Sequence, residues 1–436
     1  MKELKIDSLA YALLQATRAI MYVMEGMGLP SALALVASKE NVPVAAQGAV
    51  QDISYRTLRQ WGRVEIILSF LLKKRPKPAA LYSLLACALS LFNLSDDDSI
   101  VLPYENYTVV NQAVDLVKTQ KAWMHASSMV NAVLRNFLRE RLVLIQKAMQ
   151  TVVGRWNYPA WWVSSLQAIY PHDWEKILNV GNTLPPLILR VNQRKITKVD
   201  YLALLQQHQI AAKAVGDVAV QLLQPVGVQS IPGFADGLVS VQDVSAQWAA
   251  PLLELKAGMR VLDACAAPGG KTGHILECAD VDLWALEVDA GRLAKVQDNL
   301  DRLGLSAKLI CGDAAKQTWW DGTLFDCVLA DVPCTASGIV RRHADIRWLR
   351  REEDANNLAS VAQKILDNLW QMVRPGGKLL LVTCSIWPAE SESQAVWFQK
   401  RTCAKRLPAP GQILPGVGNE GDGLFYALFQ KESVVR

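Results

Sequence analysis

Histidine is scarce in this chain of 436 residues, with five in all, and none of its eight cysteines forms a Cys-x-x-Cys pair. Zinc sites of the usual ligand spacing are therefore excluded, and no resident metal is expected. A disulfide framework is not expected in a cytosolic chain of this size. Most of the cysteines are expected to serve as small core hydrophobes. Long apolar runs are also missing. The run around Ile66–Leu72 is far short of the ~18 residues that span a bilayer. The first residues, MKELKIDSLAYALLQATRAI, scatter charges through an amphipathic pattern, which reads as a surface helix and not as a signal peptide. A cytoplasmic protein without a membrane partner is the expectation. Internal repeats and low-complexity tracts are absent as well.

What is present is a chain able to fold, with 51% hydrophobic and 20% charged residues. The net charge of +5 is modest but unevenly placed. Residues 1–150 hold 17 Lys+Arg against 12 Asp+Glu, and the remainder is balanced at 29 of each. A basic face of this kind is either solvated surface or a nucleic-acid footprint.

The periodicity divides the chain in three. Residues 1–150 repeat apolar residues at helical spacing in Leu9–Val23, Leu58–Leu72, Ala79–Leu91, Val109–Val117 and Ala126–Leu144, with Pro30, Pro43, Pro76, Pro78 and Pro103 between them. An all-α domain is predicted there. Residues 151–237 read as a small α+β connector, with a helix at Tyr158–Ala168 whose Trp161 and Trp162 are expected in a core. Strands at Leu187–Asn192 and Val218–Leu223 flank a helix at Tyr201–His208. From residue 238 to 436, strands alternate with helices: Arg260–Ala264, Asp282–Val288, Ala307–Cys311, Cys327–Ala330 and Lys378–Thr383, interleaved with or followed by helices Thr272–Ala279, Gly291–Leu303, Asn357–Val373 and Glu390–Arg401. That rhythm predicts a mostly parallel α/β sheet covered on both faces.

In such a sheet ligands bind at the carboxyl ends of the strands, near the first glycine turn. Here that turn lies in VLDACAAPGGKTGHIL, where Gly269 and Gly270 let backbone approach a ligand. A P-loop would need glycine five residues before Gly270, and Cys265 stands there. The dinucleotide spacing G-x-G-x-x-G is absent too. Glu287 at the next strand end could accept from two ribose hydroxyls, and Asp313 after the third could accept from an adenine amine. A nucleoside without a phosphate signature points to S-adenosylmethionine.

Two cysteine motifs end the following strands, LADVPCTASG with Cys334 and LLVTCSIWPAE with Cys384. Two thiols at the functional edge of one sheet are hard to explain as packing. They suit methyl transfer to a weak carbon nucleophile. Cytosine C5 becomes nucleophilic only after a thiolate adds at C6, and a second group is needed for release. A cationic cofactor and Lys271 could favour the thiolate, and Asp331 could hold the base by its amine edge and N3.

ACAAPGGKT, DVPCTASG, VTCS and EGDGLFYA occur together here, with VQDVSAQ and GIVRRHADIRWLRR. In combination they resemble the RNA cytosine-5 methyltransferase family, in particular its Sun/Fmu branch, over the whole chain. The resemblance implies a NusB-like RNA-binding domain at the N-terminus and a Rossmann-like class I methyltransferase at the C-terminus. It implies that Cys384 attacks C6, that Cys334 assists release, and that Asp331 binds the cytosine edge, with Lys271 part of the catalytic group. Cofactor contacts are implied for Cys265, Ala266, Ala267, Pro268, Gly269, Gly270 and Lys271, and for Glu287, Asp313 and Asp331. Arg341, Arg342 and His343 are expected near RNA. The implied partner is 16S ribosomal RNA or an assembling small subunit, met by a monomer. The chain departs from the family pattern at Val332 and Thr335, where Ala and Ser are common, at Ser337, where Thr is usual, and at Glu287, where Asp is common. Transfer RNA is the competing substrate, and a non-catalytic RNA-binding factor is the reading from a different class.

Overall fold

The computed structural model describes residues 4–95, 97, 99, 101–418 and 420–432. The chain forms two compact units. One comprises Met1–Thr183 with Val340–Glu352, and the other Leu184–Ile339 with Glu353–Arg436.

The first unit is helical. Its helices include Leu9–Met24, Leu29–Lys39, Val44–Arg59, Trp61–Leu71, Ala80–Leu89, Asn106–Thr119 and Ser127–Met149. The first of these is not the surface helix its charge pattern suggested. Eleven of its 16 residues are buried, because most charges of the opening residues lie before Ser8, whose hydroxyl caps the helix by accepting from Tyr11 N–H at 3.2 Å. Ala80–Leu89 is buried on every side, as expected of a helix apolar all round. The single helix expected across Leu58–Leu72 is instead a break at Gln60 between two helices. Trp162 is fully buried as predicted, whereas Trp161 is only half-buried.

Val340–Glu352 is held in this unit by specific polar contacts. Asp345 accepts from Leu29 N–H at the start of its helix at 2.8 Å. The Trp348 indole donates to the Leu58 carbonyl at 2.7 Å. Arg347 is fully buried; it donates to the Gly181 carbonyl at 2.6 Å, and its guanidinium lies 3.9 Å from the centre of the Tyr158 ring.

The second unit contains two sheets. Strands β1 (Leu187–Val191), β2 (Ala212–Val215), β3 (Ala219–Leu222) and β4 (Val239–Val241) form an antiparallel sheet in the order β2-β3-β1-β4. Strands β5 (Arg260–Ala264), β6 (Asp282–Glu287), β7 (Lys308–Cys311), β8 (Phe325–Asp331), β9 (Val373–Thr383), β10 (Lys405–Ile413) and β11 (Leu424–Gln430) form the larger sheet, ordered β10-β11-β9-β8-β5-β6-β7. Its first five strands in sequence run parallel, and β11 is antiparallel to both β9 and β10. Alternation along the strands divides the core in two. Leu262, Leu379 and Leu381 join one apolar cluster, and Val261, Leu380 and Val382 join another. The predicted parallel α/β sheet is therefore present, extended by a C-terminal antiparallel pair that the strand-helix rhythm did not announce.

Strand order reverses beside β5. The chain moves outward through β6 and β7, then returns to place β8 on the other flank of β5. The crevice beyond the carboxyl ends of β5 and β8 is where such sheets bind ligands.

Candidate active site

The turn after β5 is shaped by backbone that few residues tolerate. Gly269 has φ +94°, and a Cβ there would lie 3.1 Å from Val296 Cα. Cys265 takes φ +62°, a conformation uncommon for a side chain with Cβ and often found at functional positions. Helix Gly270–Cys278 starts directly from the turn. Its first turn has no side-chain cap, and the opening N–H groups of a helix are available to a polar ligand.

At the end of β6, Glu287 is 2% exposed. Its carboxylate accepts from the backbone of Ala267, Val288 and Asp289 at 3.1–3.3 Å. Arg292 approaches one oxygen at 3.4 Å and also donates to the Ala267 carbonyl at 3.2 Å. Asp313, beyond β7, is more open; it accepts from Ala315 N–H at 2.9 Å and faces Lys316 at 3.4 Å.

Asp263 in β5 is buried and accepts from the Thr272 hydroxyl at 2.6 Å. Burial pushes its pKa up to about 7. Its second oxygen has no hydrogen-bond partner among the described residues. This orphaned oxygen, the buried Glu287 and the Gly269–Gly270 cradle fit a nucleoside cofactor with polar edges. The sequence reading passed over Asp263, although an acid inside the apolar stretch VLDACAA was a usable signal.

Strand β8 ends at Asp331 and leads to Cys334, and β9 leads to Cys384. Lys271 Nζ lies 2.6 Å from Asp331 Oδ2. Burial pulls the Lys271 pKa down, but Asp331 and, more weakly, Cys384 and Asp263 outweigh it, so the pKa is raised. The Lys271 charge is thus already shared with a carboxylate. Cys334 and Cys384 meet with their sulfurs 3.5 Å apart. The Cys334 thiol is pushed well up by its hydrogen bond to Cys384, by burial, and by the charges of Cys384 and Glu390.

The expectation that most cysteines are core residues fails. Only Cys87 and Cys327 are buried, while Cys278, Cys311 and Cys403 are exposed. A thiol of ordinary polarity tolerates a helix end or strand tip, so residue type alone did not fix its depth. Arg341, Arg342 and His343 belong to the helical unit. Arg341 is largely buried there, and its carbonyl accepts from Arg59 at 3.1 Å.

The sheet order and the strand-end site together define a class I methyltransferase. Residues 250–430 match the profile described as 16S rRNA methyltransferase RsmB/F, 158–229 match a ferredoxin-like domain of RsmF/B-type methyltransferases, and 12–139 match the NusB family. The ribosomal RNA small subunit methyltransferase B of Vibrio cholerae is 39% identical over 427 residues, covering 96% of this chain and 97% of the relative. The protein of that name from Serratia proteamaculans is 43% identical over 313 residues, covering 70% and 73%. A methyltransferase homologue from Pyrococcus horikoshii superposes with a TM-score of 0.58 at 26% identity, over 64% of this chain and 97% of that one. The chain belongs to the 16S rRNA methyltransferase RsmB/F family. It is an enzyme, and its fold class uses S-adenosylmethionine as methyl donor. Its first domain is NusB-like and its connector sheet ferredoxin-like.

Proposed function

We propose that this chain methylates C5 of a cytosine in 16S ribosomal RNA through a covalent bond between Cys384 and C6. The observation that carries the reading is the 3.5 Å contact between Cys334 and Cys384 at adjacent strand ends, with Lys271 and Asp331 paired at 2.6 Å on the same sheet edge. A single nucleophile would need one thiol there; addition followed by release calls for two groups.

In this reading Glu287 holds the cofactor ribose, Asp313 faces the adenine, and the Cys265–Lys271 turn lines the rest. S-adenosylmethionine supplies an electrophilic methyl group. Cys384 adds to C6 as the thiolate, and the electron pair of the 5,6 double bond makes C5 nucleophilic. Once C5 carries the methyl, loss of its proton restores the double bond and expels the Cys384 sulfur. Cys334 assists that release. Asp331, oriented by Lys271, accepts from the amine edge of the cytosine. The division into a helical RNA-binding part at 1–150, a connector at 151–237 and a catalytic part at 238–436, with RNA contacts at Arg342 and His343, belongs to the same proposal; Arg341, expected beside them, is 8% exposed and is not part of it. The names of the relatives support ribosomal over transfer RNA.

The test separates the cysteines. Cys384→Ala should abolish methylation and form no adduct. Cys334→Ala should still attack and methylate, then stall with RNA attached, giving a species that survives denaturant on a gel. Trapping by the Cys384 variant alone would reverse the roles, and trapping by neither would remove the covalent mechanism.

A further inference from the structure

Between the two cysteine loops lies a carboxylate that the scheme above does not use. Glu390 is 2% exposed and sits just before helix Glu392–Thr402. One of its oxygens accepts from Thr335 N–H at 2.7 Å. The other accepts from the Thr335 hydroxyl and the Ser385 hydroxyl, each at 2.6 Å. Thr335 directly follows Cys334, and Ser385 directly follows Cys384. One side chain therefore ties together the residues adjoining both thiols.

Other bonds extend the tie. The Ser385 and Ser337 hydroxyls meet at 3.0 Å, and Ser337 accepts from Ile386 N–H at 3.0 Å. Gly338 N–H donates to the Cys384 carbonyl at 2.8 Å. Without Glu390 the Thr335 amide and the Thr335 and Ser385 hydroxyls would lose their 2.6–2.7 Å bonds to the carboxylate, and losing charge-assisted hydrogen bonds at a buried site drives local rearrangement.

We propose that Glu390 is a positioning residue, clamping Thr335 and Ser385 so that the Cys334 and Cys384 sulfurs stay in contact for attack and release. The proposal rests on the covalent reading above. The clamp has a second effect. The Glu390 charge adds to the Cys384 hydrogen bond and burial in keeping Cys334 a thiol. The placing of both thiols and part of the raised Cys334 pKa thereby trace to one carboxylate.

Glu390→Ala and Glu390→Gln in the full chain test this. Four quantities are read: S-adenosylmethionine affinity by calorimetry, single-turnover methylation, thermal stability by the unfolding midpoint, and the pH profile of Cys334 alkylation by iodoacetamide, followed by mass spectrometry. Cofactor affinity should stay within about twofold, because the bonds from Glu390 to Thr335 and Ser385 tie the two cysteine loops and not the turn after β5. Methylation by Glu390→Ala should fall on the order of 100-fold, the scale expected for a misplacement of about 1 Å. Glu390→Gln keeps the size and an acceptor for Thr335 while removing the charge. It should lose less rate and move the Cys334 alkylation profile to lower pH. If Glu390→Ala does not fold, the glutamine variant carries the test. Wild-type methylation with an unmoved alkylation profile in Glu390→Gln overturns the proposal. So does a parallel loss of cofactor affinity and thermal stability with no change in the profile, which marks a role in folding alone. Cys384→Ala is run beside them. If it is inactive while the Glu390 variants are fully active, the clamp alone fails. If it still methylates, the covalent reading fails and the clamp with it.

Discussion

Asp263 shows what burial does to one carboxyl group. With its pKa pushed up to about 7, the folded protein keeps a proton that the unfolded chain releases near ~4. The native state binds more protons than the unfolded state between those values, so this group's contribution to stability is complete below about pH 4 and is lost as pH rises through about 7. The slope can approach about 1.4 kcal/mol per pH unit. Asp263→Asn keeps the shape and an oxygen for the Thr272 hydroxyl while abolishing the titration. Urea midpoints measured across that range should therefore depend less on pH in the variant. An identical dependence in both proteins would show that Asp263 does not titrate there.

At the scale of elements, the most demanding contact joins β1 to helix Gly270–Cys278. Arg190 donates two hydrogen bonds to Glu277, at 2.9 and 2.7 Å, and both side chains are almost wholly buried. Arg190 also donates to the Gly270 carbonyl at 2.8 Å, at the start of that helix. The small sheet is thereby bonded to the backbone of the turn after β5. Arg190→Met leaves the Glu277 carboxylate buried without its counter-charge, which costs roughly 3–5 kcal/mol. Combining it with Glu277→Leu should recover most of that loss, since a well-packed apolar pair can replace a buried ion pair. A double-mutant cycle in urea reads the coupling. Simple additivity would mean that the two groups act independently.

For the whole molecule, charge placement and chain threading matter most. Val340–Glu352 leaves the sheet-bearing unit and folds with the helices, where Asp345, Arg347 and Trp348 are bonded. Deleting the N-terminal helices would strand the buried Asp345 and Arg347, so it is a poor test of RNA binding. Neutralising exposed lysines is cleaner. Lys73, Lys74 and Lys77 lie in a basic stretch after helix Trp61–Leu71. Changing all three to Gln should weaken RNA binding and reduce the log–log salt slope by up to ~0.7–0.9 for each phosphate no longer neutralised. Cofactor affinity should not change. Filter binding over a range of salt concentrations measures the slope, and an unaltered slope would place the RNA elsewhere.

The α-helical N-terminal third, the alternating strands and helices, and the strand-end positions of Glu287, Asp313, Asp331, Cys334 and Cys384 were legible in sequence, because periodicity and glycine turns are local properties. The antiparallel β10–β11 pair was not, because its strands lack a regular alternation and are defined by pairing with β9 and with each other. Nor was the burial of Leu9–Met24, since an amphipathic pattern does not say how many neighbours will surround a helix. The chain order places Glu390 six residues after Cys384 but gives no sign that its carboxylate reaches Thr335 on another loop. The sequence by itself determined which side chains stand at which strand ends. Only the tertiary structure decided that two sulfurs from different loops touch, that Lys271 is paired to Asp331, and that Val340–Glu352 joins the helices, because such contacts depend on residues far apart in the chain being brought within a few ångströms by packing.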